Sequence, residues 1–145
     1  MPAALLVTAV IDTNIALDLL VFADPSAQAL GQALAQGRVL WLATPAMREE
    51  LARVLGYPHI AARLLRAENS AAQVLATFDA LAQMQAVPAK APVTCRDADD
   101  QPFIDLAVAH RAHLLSKDAA VLCLHQRLAA LGVRASPTLE APTRA

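Results

Sequence analysis

The chain has 145 residues, 57% hydrophobic, 3% aromatic and 17% charged, and its 12 Lys+Arg against 13 Asp+Glu leave a formal net charge of −1. That length suits one domain with a real core, and apolar residues in such excess over charge exclude a disordered chain. Near-neutrality also excludes a protein that grips nucleic acid through a broad basic surface.

Alanine makes up roughly a quarter of the residues and favours helices. Leu5 to Ile11 is a short, nearly continuous apolar run, as expected of a buried parallel strand. It is too short for a membrane span and lacks the flanks of a signal peptide. Asp12-Thr13-Asn14 follows, then a helical stretch through Ile15, Leu19 and Leu20. Asp24-Pro25-Ser26 opens the next helix and Gly37 ends it. Val39 to Leu42 reads as a second strand. Thr44-Pro45 is an N-cap with proline at the first helical position, and that helix stops before Pro58. A further helix is expected over Ile60 to Arg66. Asn69 is expected to cap another, from Ser70 to about Met84.

Val87 to Val93, with two prolines, reads as a connection. After Arg96-Asp97-Ala98-Asp99-Asp100 the pattern predicts a helix from Gln101 to Arg111, a strand over His113 to Ser116, and a helix from about Ala119 to Leu131. Val133 to Ala135 reads as a last strand, with the end after Pro137 loose. Alternating strands and helices predict an α/β protein, a three-layer α/β/α arrangement around a parallel sheet of four to five strands. The expected division is a domain over 1–136 and a tail over 137–145. Cys95 and Cys123 stand far apart, in no metal or redox spacing, and read as reduced thiols of a cytoplasmic protein.

The acidic residues are unevenly placed. Asp12 ends the first strand and Asp118 follows a later one, at the sheet edge where ligands bind in open α/β folds. Asp100 stands at a helix start, where an Asp is equally a cap or a ligand. Glu49 and Glu50 point about 100° apart on their helix. Glu50 borders the face formed by Met47, Leu51, Val54 and Leu55, whereas Glu49 projects toward solvent. On the later helix, Asp105 points away from the cluster of Phe103, Leu106, Ala107 and His110. Asp97 and Asp99 are compatible with loop charges or with ligands. Carboxylates converging at one edge repel unless cations neutralise them. Oxygen ligands without paired His or Cys suit Mg²⁺ or Mn²⁺, and such a site can activate water for phosphodiester hydrolysis.

Val10-Ile11-Asp12-Thr13-Asn14 before an apolar helix resembles the opening of PIN-domain ribonucleases. Glu50-Leu51-Ala52-Arg53-Val54-Leu55 is similar to the glutamate segment of that family. Arg96 to Asp100 with Phe103-Ile104-Asp105-Leu106-Ala107 resembles its third acidic element, and Leu114-Leu115-Ser116-Lys117-Asp118 its strand ending in Thr/Ser-x-Asp. The resemblance runs from Val10 to about Val133 and is closest to the branch of toxins from toxin–antitoxin pairs. It implies an acidic quartet of Asp12, Glu50, Asp100 and Asp118 around Mg²⁺ or Mn²⁺, supported by Thr13, Asn14 and Ser116. The third acid is open to replacement by Asp97, Asp99 or Asp105. Also implied are an RNA substrate, a metal-dependent endoribonuclease activity, a homodimer and a small antitoxin partner. Where the family commonly has a glycine before the penultimate strand, this chain has His110-Arg111.

Two other readings compete. A phosphatase of the haloacid dehalogenase type would use Asp12 as nucleophile but needs a second Asp where Asn14 stands. A non-catalytic interaction domain would carry the acids without binding Mn²⁺. A zinc site at His110 and His113 lacks further ligands, and His59 and His125 read as ordinary surface or core-edge residues. Arg48, Arg53, Arg96, Arg111 and Lys117 are candidates to meet phosphates or to serve as solvated charges. Two bound divalent ions would move the formal charge from −1 to about +3.

Overall fold

A computed structural model describes residues 6–139. Five parallel strands, β1 (Val7–Ile11), β2 (Val39–Ala43), β3 (Ala82–Met84), β4 (His113–Leu115) and β5 (Ala135–Ser136), form one sheet in the order β3-β2-β1-β4-β5. The predicted first strand begins at Leu5, which lies outside the described residues, as do 140–145 of the expected tail. Eight helices are described: α1 (Thr13–Leu17), α2 (Gln28–Ala35), α3 (Pro45–Leu55), α4 (Pro58–Arg66), α5 (Ala71–Leu81), α6 (Gln101–His110), α7 (Ala119–Leu122) and α8 (His125–Ala130). A π-helical turn over Asp18–Phe22 and a 3-10 turn over Pro25–Ala27 join α1 to α2. The sheet is flanked by helices, and the predicted three-layer arrangement stands.

β1 is the centre of the molecule. Ala9, Val10 and Ile11 are buried, and α6 packs on both β1 and β4. Small residues such as Ala16, Ala33, Ala43, Ala107 and Ala112 are all buried, which lets helices approach the sheet closely. Trp41 of β2 fills the space beneath α5, its ring edge-on to Phe78 with centroids 5.0 Å apart. Thr44 caps α3 as expected, its hydroxyl accepting from the Met47 amide.

Four features differ most from expectation, the first through strand pairing and the others through local hydrogen bonds. The helix expected over Ser70–Met84 stops at Leu81, since Ala82–Met84 pairs with Trp41–Ala43 as an edge strand. Its cap is Ser70, whose hydroxyl accepts from the Gln73 amide; Asn69 accepts from Ser70 instead. The helix expected over Ala119–Leu131 is two helices. The Leu122 carbonyl, which a continuous helix would use, faces the His125 ring at 2.9 Å. The last strand begins two residues later than expected, because Val133 turns back to bond the Leu128 carbonyl around Gly132 (φ +83). That six-to-one closure is a Schellman turn, and the valine packs into the core instead of joining the sheet. The same closure ends α6, with Ala112 bonded to Ala107 and Arg111 at φ +49. Arg111 is therefore held in the left-handed region, where glycine, without a Cβ, would fit at less cost.

Candidate metal centre

Parallel neighbours end on the same side. β1 and β4 are in register at Ile11 and Leu115, and the Asp12 amide donates to the Leu115 carbonyl at 2.9 Å. Asp12 and Ser116 therefore emerge side by side. The chain leaves β1 for β2 on one side and returns to β4 on the other, so the crevice at the carboxyl end of β1 is a topological switch point.

Ser116 is fully buried and fixes two of the acids. Its hydroxyl donates to Asp12 Oδ2 at 2.8 Å and accepts from the Asp118 amide at 3.1 Å. Asp118 caps α7, with Oδ1 accepting from Ala120 at 2.9 Å. Asp100 occupies the N-cap of α6 yet makes no capping bond, which separates the two roles left open by sequence. Its residue is only 6% exposed, and Oδ2 has no hydrogen-bond partner among the described residues. A buried, unpartnered carboxylate oxygen is costly unless something else meets it.

Carboxylate oxygens of Asp97, Asp100 and Asp118 all lie within 4.8 Å of one another. The sequence leaves Asp97 open as a loop charge or as an alternative to Asp100; here it stands beside Asp100. Its Oδ1 also accepts from the Asp99 amide, which turns the loop. Asp99 itself is exposed. Asp105 belongs elsewhere: its Oδ1 accepts from the Ala91 amide and from Gln101 Nε2, both at 2.8 Å, and so anchors the connection.

Electrostatics tie the remaining acids to this group. Burial pushes Asp100 up to about 7, helped by its hydrogen-bonding interaction with Asp118 and by the charges of Asp12, Asp118 and Asp97. Asp118 moves down, held chiefly by the Ala120 amide, with the Asp100 carboxyl and Arg96 adding to it. Asp12 is raised by burial and by Asp118, while Ser116 and the amides of Thr13 and Asn14 oppose the rise. Burial also raises Glu50, the Thr13 hydroxyl pulls it down, and Asp12 pushes it up again. Glu49 is exposed and Glu50 half-buried, as the helical wheel predicted. The buried donors are all hard oxygens, with one orphan among them and mutual repulsion to relieve, so the set fits a divalent cation such as Mg²⁺ or Mn²⁺.

The basic candidates divide. Arg48 is engaged by a bidentate contact to Asp79 on α5, Nε–Oδ1 at 2.7 Å and a second nitrogen to Oδ2 at 2.8 Å. Lys117 reaches across to the buried Asp18 of the π-helical turn at 2.6 Å, a pair that sequence reading did not anticipate. Arg53 and Arg96 are exposed and electrostatically face Glu50 and Asp118. Arg111 lies against Gly132, away from the acids. His110 is exposed and His113 shares a hydrogen bond with Ser136.

A family model described as PIN domain matches residues 8–120. The chain belongs to the PIN domain family, and with it to metal-dependent nucleases, a class of hydrolases. A comparison with curated proteins finds no match. No helix among the described residues is long and apolar enough to cross a membrane.

Proposed function

We propose that this protein is an Mg²⁺- or Mn²⁺-dependent endoribonuclease whose metal is held by Asp12, Glu50, Asp100 and Asp118, with Asp97 as a further donor. The observation that carries this reading is the orphaned Asp100 Oδ2 inside a cluster of mutually repelling carboxylates. A divalent ion bound there supplies charge neutralisation at the scissile phosphate and activation of water at neutral pH. The chain's own residues do the rest. Ser116 holds Asp12 and the Asp118 loop in fixed relation, Thr13 steadies Glu50, and the amides of Thr13 and Asn14 face Asp12. Arg53 and Arg96, exposed at the rim, meet the flanking phosphates.

RNA cleavage in the presence of Mn²⁺, lost on chelation, tests the reading; an RNA left intact under both conditions rejects it. Arg96→Ala should weaken RNA binding at all sequences and reduce the salt slope by about 1. Arg48→Ala, whose guanidinium is already paired, should leave that slope unchanged. Ser116→Ala is expected to lower Mn²⁺ affinity about 10- to 100-fold in calorimetry with little loss of fold.

The toxin role, a homodimer, a small antitoxin that blocks the site and a cytoplasmic location are part of the same proposal, supported by the resemblance at Val10–Asn14 and Leu114–Asp118. Growth arrest on expression, relieved by a short neighbouring reading frame, tests that role. The domain is taken as 1–136 with 137–145 as a tail.

A further inference from the structure

Cys95 and Cys123, distant in sequence, converge in space. Each Sγ lies 3.4 Å from the same carbonyl oxygen, that of Ala120. The sulfurs are thus no more than twice that distance apart, and both are free thiols, Cys95 buried and Cys123 exposed. Cys95 opens the acidic segment, two residues before Asp97, and its amide donates to Gln101 Oε1 at 2.7 Å. Cys123 follows α7 at the point where the helix breaks before α8. That break leaves the Cys123 backbone outside any long helix that would resist a small shift. The two thiols therefore bridge the two elements whose carboxylates meet, the Asp97–Asp100 segment and the helix capped by Asp118.

We propose that Cys95 and Cys123 form a redox pair, closing into an intramolecular disulfide when a low-molecular-weight disulfide such as oxidised glutathione is the oxidant. Cys123 Sγ, as thiolate, attacks one glutathione sulfur; the glutathione S–S bond breaks and the first glutathione thiolate leaves. Cys95 Sγ then attacks Cys123 Sγ, the protein S–S bond forms and the second glutathione thiolate leaves. The two protein thiol protons end on the two glutathiones, and the two electrons pass to the oxidant. A disulfide holds its sulfurs about 2 Å apart, so closure draws the acidic segment and α7 together past the Ala120 carbonyl and displaces Asp97 relative to Asp118. The consequence for metal binding rests on the proposed metal centre; the disulfide itself does not.

The test is to treat reduced protein with oxidised glutathione and read thiol content, intact mass and Mn²⁺ affinity. The expected product is a single chain without intermolecular crosslinks that has lost both thiols and the mass of two hydrogens. It should bind Mn²⁺ about tenfold more weakly, with dithiothreitol restoring the affinity. Cys123→Ser, at an exposed position, should stay folded and show neither change. A persistent glutathione adduct on Cys123, a dimer linked through Cys123, or a retained Cys95 thiol would overturn the pair. Unchanged Mn²⁺ affinity in the oxidised protein would overturn its coupling to the carboxylates. If reduced protein binds no Mn²⁺, the metal reading fails, while mass and thiol content still decide the disulfide.

Discussion

Replacing Asp12 by asparagine should leave a folded protein that cleaves RNA on the order of 10³-fold more slowly with Mn²⁺. The asparagine carbonyl can still accept from Ser116 Oγ, so the bond at 2.8 Å that fixes the β4 end survives. What is removed is a charge that burial and Asp118 already disfavour. Stability should therefore hold or rise, while one of the proposed metal donors is lost. Single-turnover cleavage and thermal melting of the same preparation separate the two effects. A rate within a few fold of the parent protein would remove Asp12 from the chemistry.

The second large effect is a pH dependence of the metal-free protein. Asp100 ionises near its ordinary value of 3.8 when unfolded, but only at about 7 when folded. Between those values the folded state holds a proton that the unfolded chain has released. The associated stability is fully present below about pH 4 and is lost as pH rises through 7. Asp12 and Glu50, both raised, add in the same direction, whereas Asp118 is lowered and titrates beneath this window. Asp100→Asn should stabilise the metal-free protein above neutrality by about 1–2 kcal/mol, after allowing for solvent screening of the full shift. Urea denaturation at pH 5 and pH 8 measures it: the variant and parent should differ more at the higher pH. Equal differences at both would show that Asp100 does not hold its proton.

The parts of this centre that were legible from sequence are those fixed by local periodicity. Strand β1 announces itself by a β-branched run, and Asp12 must follow it at the sheet edge. The wheel over α3 separates Glu50 from Glu49 because 100° per residue leaves only one of two neighbours near the apolar face. Asp100 was harder. An Asp at a helix start is as readily a cap as a ligand, and only the absence of a bond from its side chain to the α6 amides distinguishes it. Asp97 needed three dimensions, since its loop doubles back on Asp118. The thiols did too: spacing gives no hint that Cys95 and Cys123 share the Ala120 carbonyl. Elsewhere, β3 was hidden in a helical pattern because an edge strand of three residues is specified by its partner β2, not by its own alternation.

Calorimetric titration of the reduced protein with Mn²⁺ near pH 7, repeated in buffers of different ionisation enthalpy, tests the metal centre most directly. Saturable binding with proton release is predicted, because Asp100, with a pKa of about 7, is partly protonated there. Asp12→Asn should abolish the saturable heat. No saturable binding in the parent protein, or binding that Asp12→Asn leaves unchanged, would contradict the account.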